Sequence, residues 1–367
     1  MSATALVRLL AAALVAADPL SPPLELVEKW SLGPGTGGRI DHFAFDLESG
    51  ILVVNALEAN TTLLLNTRAN GSVVRSYTGL KHPQGAGITP AFPSSVLAVA
   101  SALGGMVHSF NTSAPGNEPI YSFQLFDDAD NIRYSPSKHA FLVGYGNKGQ
   151  SFDKMPHAGI VEVESTTGRT SRSVALPAHA ESFQLDKTGR IFVNMPENNH
   201  TIAAINGASF QVEAVWPIIN PHSGAQLMEN FPMVLLPAAR KRLLVVTRNP
   251  AMLAMIDTDS GRTVTAVEAA ADGDDVWHDA VNDRIYQSGG DGHVHIYQLK
   301  AGSDSIDFLG SVPTAPVART SYFDSDQRRL YVGVPYEPSL AAQEQEVGAE
   351  DRHGGQGELW VYAAAQQ

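Results

Sequence analysis

Short apolar runs bounded by Gly, Asn, Asp and Ser recur along this chain in pairs, and the pairing is its main organising signal. Gly38-Arg39-Ile40-Asp41-His42-Phe43-Ala44-Phe45-Asp46 alternates apolar and polar positions as a short strand does. Leu47-Glu48-Ser49-Gly50 is a polar turn, and Ile51-Leu52-Val53-Val54-Asn55-Ala56 is a second, continuously apolar strand. The pair returns at 83–88 with 96–100, 130–134 with 141–144, 181–185 with 191–194, 231–236 with 243–246, 274–278 with 284–287 and 319–323 with 330–334, which makes seven. A third strand usually follows, as at 62–65, 159–163 and 252–257, and after a glycine turn a fourth, as at 72–77 and 262–267. Four strands per unit at a spacing of roughly 40–50 residues is the propeller pattern. No segment keeps a 3.6-residue period over three turns, which excludes helical repeats. The last unit has two strands, a long loop and then Gly357-Glu358-Leu359-Trp360-Val361-Tyr362. Its fourth strand is predicted to be Leu24-Glu25-Leu26-Val27-Glu28-Lys29-Trp30, so that both ends of the chain share one blade and no sheet edge stays open. The prediction is an all-β chain, a seven-bladed β-propeller of four-stranded blades closed by the N-terminal strand. Within the first unit, the alternation places Phe43 and Phe45 between blades and Asp41 towards the channel.

With 367 residues, 44% of them hydrophobic and 17% charged, the chain can bury the core of one large domain. Its formal net charge of −13 offers no basic stripe to phosphate, so nucleic acid is excluded as a partner, and copies that repel one another suit a monomer. The absence of cysteine rules out disulfides, thiolate nucleophiles and Cys-ligated zinc. Arg8 precedes an apolar run at 9–16, and Val15-Ala16-Ala17 offers small residues for cleavage before Asp18. This pattern divides the chain into a signal peptide, 1–17, and a propeller domain, 18–367. Four glycosylation acceptors, at Asn60, Asn70, Asn111 and Asn199, agree with a secreted or secretory-lumen address. No other run is long and apolar enough to span a membrane.

The innermost strand of each blade lines a propeller's channel. Aligning the units on their second strands brings Asp41, Gln84, Asp130, Glu181, Pro232 (with Asn230 beside it), Asp274 and Arg319 to its mouth. The next positions add His42, Asn131, Ser182, Asp275 and Thr320, and two residues upstream lie His82 and His179. Like charges converging on one axis cost stability unless something compensates. Arg319 and a bound cation are two ways to do so. Asp41, Asp130, Glu181 and Asp274 supply the hard oxygens that suit a divalent cation such as Ca²⁺, and His42, His82 or His179 would admit a transition metal. Without a metal, crowding raises a carboxyl pKa towards neutrality, as general acid–base chemistry requires. As catalytic groups this reading names Asp41, Asp130, Glu181, Asp274 and Arg319; as ligand-binding groups it names His42, Gln84, Asn131, His179, Asn230 and Asp275. The plainer alternative is that the ring only ties neighbouring blades together through backbone hydrogen bonds. Three long loops, 145–158, 217–229 and 335–356, belong to the same face. The stretch 289–295, with His293 and His295, reads as an ordinary blade edge, most Trp and Phe residues as core, and no Gly-x-Ser-x-Gly elbow occurs.

At Arg39-Ile40-Asp41-His42, Pro83-Gln84-Gly85, Asp127-Asp128-Ala129-Asp130-Asn131-Ile132-Arg133-Tyr134, Glu181-Ser182-Phe183-Gln184-Leu185, Asn230-Phe231-Pro232-Met233 and Ala318-Arg319-Thr320-Ser321 the units resemble the YVTN-type β-propeller repeat proteins. The resemblance covers nearly all of the chain beyond its leader and implies the fold. For activity it implies a range. Similar-looking secreted fungal propellers assist ring closures or cycloadditions in secondary metabolism, and six-bladed propellers hydrolyse lactones with a bound metal. The functions open to this chain are a secreted cyclase or isomerase with a small-molecule ligand at the channel mouth, a metal-dependent lactonase-like hydrolase, and a non-catalytic ligand- or protein-binding propeller.

Overall fold

The structure is a computed structural model that describes residues 23–146, 157–336 and 355–365. The segment read as a signal peptide, and most of the loops 145–158 and 335–356, lie outside the described residues. Seven four-stranded antiparallel sheets make up the ring. Their innermost strands are Ile40–Asp46 in blade 1, Pro83–Ile88 in blade 2, Ala129–Ser135 in blade 3, Phe183–Leu185 in blade 4, Met228–Leu235 in blade 5, Gly273–Asp279 in blade 6 and Ser321–Asp324 in blade 7. Blade 7 is completed by Arg329–Val334, Glu358–Ala364 and, outermost, Leu24–Ser31, with Leu24 opposite Ala364 and Trp30 opposite Leu359. The predicted closure is therefore present. Among the described residues the only helical segments are single 3-10 turns at Thr67–Ala69 and Ala238–Arg240, and no helix is long and apolar enough to cross a membrane.

The second strands are continuously apolar because they are covered on both faces. Every residue of Ile51–Ala56 and of Arg284–Gly289 is buried. Leu52 and Val54 pack with Phe43, and with Tyr331, Leu359 and Val361 of blade 7, whereas Ile51 and Val53 face Ala86, Leu97 and Val99 of blade 2. Such interblade burial contributes roughly 1.5–3 kcal/mol per aliphatic side chain and is the main cohesion of the ring. Phe43 lies in this packing as predicted. Phe45 reaches further, packing against the same cluster while its ring stacks on Tyr322 at 5.1 Å and walls the channel.

Two local devices position the channel mouth. In five innermost strands the register slips there: between Asp41 and Ala44, Pro83 and Gly85, Ala129 and Ile132, Asn230 and Met233, and Gly273 and Asp275. A bulge re-aims side chains and breaks strict alternation, so neighbours such as Asp41 and His42 both join the mouth. The second device is close approach. A Cβ at Gly85 would fall 1.9 Å from the Asp130 carbonyl oxygen, so only glycine lets blades 2 and 3 come so near.

The blades are tied mainly by residues at the ends of second strands. Asn55 donates to the carbonyls of His42 (2.9 Å) and Gln84 (3.2 Å), Asn194 to that of Phe231 (2.7 Å), and Ser288 to that of Arg319. Thr320 adds a bond to the Ile40 carbonyl. Among the ring residues, Asp275 accepts the Ser321 N–H at 2.8 Å, and fully buried Asn230 donates to Asn194 Oδ1 and to the Thr201 carbonyl. Asn230, Asp275 and Thr320 of the ring thus each make a bond that ties neighbouring blades.

Candidate functional site

The mouth divides into two halves of different chemistry. On one side Arg39, Arg248 and Arg319 interleave with Asp41, Asp272 and Asp274. Arg39 lies 2.9 Å from Asp41 and 3.9 Å from Asp274; Arg319 is 2.8 Å from Asp272 and 3.0 Å from Asp274; Arg248 is 2.8 Å from Asp274 and 3.2 Å from Asp272. Burial pushes the Asp274 carboxyl up, but Arg319, Arg248, His42 and Arg39 outweigh it and hold it below the usual range. Arg248 also lies over the Phe231 ring at 3.9 Å. Compensation for the converging carboxylates, which the sequence reading assigned to Arg319 and a cation, is shared with Arg39 and Arg248. Asp41 and Asp274 are thereby engaged as arginine partners.

The other half pairs imidazoles with carboxylates. His179 is fully buried; its Nδ1 lies 2.9 Å from the Gly146 carbonyl oxygen, and its Nε2 faces Asp130 at 3.4 Å and Glu181 at 3.8 Å. A backbone acceptor at Nδ1 fixes a proton there and turns Nε2 to the carboxylates. Burial lowers the His179 pKa, but Glu181, Asp130 and Asp128 reverse this and raise it to about 9. His42 bridges the halves, with Nε2 3.7 Å from both Asp41 and Asp130. Burial disfavours its charge too, yet Asp41 and Asp130, with Asp275 and Asp274, lift its pKa to about 9. Gln84 reaches Asp128 at 3.3 Å. The side-chain amide of buried Asn131 has no hydrogen-bond partner among the described residues. His82 stands apart, lining a surface hollow with Lys81 and Leu103.

Beyond this neck the channel widens into a cavity of about 520 Å³. His42 and Asp275 belong to its lining, as do Arg133, the aromatic rings of Phe45, Tyr134, Trp277 and Tyr322, and, towards the opposite face, the Leu47-Glu48 turn and Pro90. Tyr322 packs against Trp277 with ring centres 4.5 Å apart. Burial raises the Asp275 carboxyl, and although His42 and the Ser321 N–H pull it back, its pKa stays near neutrality, at about 7. The neck thus holds two cationic imidazoles and a carboxyl that titrates near neutral pH, in contact with a cavity of small-molecule size.

Sequence reasoning brought Asp41, His42, Gln84, Asp130, Asn131, His179, Glu181, Asp274, Asp275 and Arg319 to one end of the channel, and the structure places them there. It missed Arg39, Asp272 and Arg248 as ring members, and it missed the aromatic cavity. Arg39 was in plain view two residues before Asp41. Arg248 comes from the end of a second strand (Arg242–Asn249) and carries no periodic signal. Of the proposed glycosylation acceptors, Asn70, Asn111 and Asn199 are exposed, whereas Asn60 is half-buried and accepts the His82 N–H at 3.0 Å.

No protein-family model matches this chain, and no curated protein matches it in sequence. Solved structures match in fold. The hydrazine synthase of Kuenenia stuttgartiensis superposes with a TM-score of 0.65 at 14% identity, over 79% of this chain and 91% of that one. The WD40 propeller domain of Doa1 gives 0.65 at 12% identity, over 94% and 98%. The WD40 repeats of RRP9 give 0.68 at 10%, over 92% and 99%. At such identities the likeness shows the fold alone and nothing of activity.

Proposed function

We propose that this propeller is a small-molecule enzyme of the cyclase or isomerase type, which holds its substrate in the channel cavity and moves protons at the neck. The observation that carries this reading is that His42 and Asp275 line the same aromatic-walled cavity. One is a cation at neutral pH and the other a carboxyl titrating near it, the pair of states that proton donation and abstraction need. Asp41 and Asp130, with Asp275 and Asp274, set the charge on His42, and His179 and Glu181 lie behind Asp130. Asp41, Asp274 and Arg319 hold the frame of the mouth through their ion pairs. Ring closures and isomerisations ask mainly for positioning and acid–base groups, and both are present. A secretory route, N-glycans at exposed Asn70, Asn111 and Asn199, membership of the YVTN-type repeat family, a monomeric state and a role in secondary metabolism belong to the same proposal.

The test compares the metabolites of a source strain with those of a strain lacking the protein, and of that strain carrying wild type, Asp275→Asn or His42→Gln. Cyclisation and isomerisation conserve mass, so the expected result is loss of one compound and gain of an isobaric one, reversed by wild type and by neither variant. Full restoration by both variants overturns the catalytic reading and leaves a binding propeller.

A second reading has its own observation. Donor atoms of Asp130, His179 and Glu181 lie within 4.8 Å of one another. The Nδ1 contact with Gly146 is the outer-shell arrangement common for metal-bound histidine. These three residues would hold a divalent cation, and their mixed nitrogen and oxygen donors favour a transition metal over Ca²⁺. Such an ion would supply Lewis acidity for lactone hydrolysis. A melting temperature raised by Zn²⁺ or Mn²⁺ and lowered by EDTA supports this reading; one indifferent to both removes it.

A further inference from the structure

Four arginines approach the channel axis, and one of them differs in its partners. Arg39, Arg248 and Arg319 each face carboxylates within ion-pair distance. Arg133 has none among the described residues: its Nη1 donates to the neighbouring Ile132 carbonyl at 2.9 Å, and its guanidinium stands 5.5 Å from the Phe183 ring, in the wall of the cavity. A guanidinium carries five N–H donors and stays charged, so one half-buried beside apolar walls favours an anionic acceptor in its fork. The His42 imidazole belongs to the same lining.

The walls specify the rest of the ligand. Phe45 stacks on Tyr322 with an interplanar angle of 14°, Trp277 also packs against Tyr322, and Tyr134 belongs to the aromatic lining. Ala44, Ala86, Gly87, Ile88 and Ile132 add apolar lining, beside the polar Asp46, Glu48, Gln184 and Asp275. Flat rings favour flat partners, and a volume of about 520 Å³ admits two or three fused rings. We infer that the cavity takes a planar, largely apolar conjugated molecule bearing one acidic oxygen, a carboxylate or enolate, which is bound by Arg133. This names a substrate class for the enzyme proposed above and rests on that reading for the chemistry, but not for binding.

The experiment measures binding of 2-naphthoate, its neutral isostere 2-naphthamide and tetramethylammonium to the full chain by titration calorimetry at pH 7.5. The expected result is that naphthoate binds roughly ten- to a hundredfold tighter than the amide, the usual range for a charge-assisted pair. Arg133→Met should bring the two within a factor of about two. Trp277→Leu should weaken both ligands together and keep their ratio. Arg133→Lys, which keeps the charge without the fork, serves if the methionine variant fails to fold, and should reduce the preference without abolishing it. Equal binding of acid and amide, a preference that survives Arg133→Met, or selective uptake of tetramethylammonium by the aromatic walls overturns the inference. Failure here together with an isobaric product lost in Asp275→Asn retires this substrate class and keeps the enzyme; naphthoate selectivity with unaltered metabolites does the reverse.

Discussion

His179 faces Asp130 across 3.4 Å through Nε2 while having no solvent exposure at all. A buried imidazolium among carboxylates stands only because the charges compensate, and removing one member should cost more than its contacts suggest. His179→Leu keeps volume but removes the positive charge facing Asp130 and Glu181, and the donor to the Gly146 carbonyl. We expect a loss of about 3–5 kcal/mol in chemical denaturation at pH 7. Adding Glu181→Gln should recover part of that loss, because one negative charge leaves with it. A double variant no more stable than His179→Leu alone contradicts this account.

Asp274 is held by two arginines from different blades, Arg248 at 2.8 Å and Arg319 at 3.0 Å. Either arginine can balance the carboxylate by itself, so Arg248→Met and Arg319→Met should each cost about 1–2 kcal/mol. Together they leave Arg39, at 3.9 Å, as the nearest cation among the described residues. The double variant should therefore lose at least about 1 kcal/mol more than the two single losses combined. Strict additivity in a double-mutant cycle would show the network to be a set of independent pairs.

How far this site could be read in the sequence follows from what repeats. Asp41, Asp130 and Asp274 sit at matching places in matching units, so aligning the apolar second strands found them. The ends of those strands repeat as well: Asn55 follows Ile51-Leu52-Val53-Val54 and Asn194 follows Ile191-Phe192-Val193, a recurrence that marks the interblade ties in hindsight. Arg248 and Asp272 repeat nothing, and only three-dimensional proximity makes them partners of Asp274. The aromatic cavity was hidden for a different reason. The sequence reading assigned Phe45 and most Trp residues to packing, whereas the bulges at Asp41/Ala44 and Gly273/Asp275 decide which side chains of these two strands meet the channel.

Asn55 is fully buried, donates to two carbonyls on adjacent blades and accepts from Thr62 Oγ1 at 2.7 Å. Asn55→Leu strands three polar groups in a dry interior. We expect a loss of about 2–4 kcal/mol, with faster hydrogen exchange along the first strands of blades 1 and 2. Asn55→Asp, which can still accept from Thr62 but cannot donate to either carbonyl, should be no better. An aspartate variant of wild-type stability shows that the carbonyl bonds do not hold these blades together.

Asp275 links stability to pH with a sign that can be checked. An unfolded aspartate titrates near 3.9, whereas burial lifts this carboxyl to about 7 against the pull of His42 and the Ser321 N–H. The folded state holds this proton more tightly, so the contribution is fully present below about pH 4, shrinks as pH rises and is lost above about 7. His42 and His179, raised to about 9, have the same sign over a higher window: full below about pH 6.5 and lost towards pH 9. Taking the difference between Asp275→Asn and wild type isolates the aspartate. Asparagine still offers an oxygen to the Ser321 N–H and has no proton to lose. The variant should match wild type near pH 4 and exceed it at pH 8 by an amount on the order of a few kcal/mol, read from denaturant midpoints across the range. A stabilised variant that no longer forms product is what a site strained for proton transfer predicts. A stability difference that stays flat from pH 4 to pH 8 would place the Asp275 pKa at its ordinary value and remove it as the acid–base group.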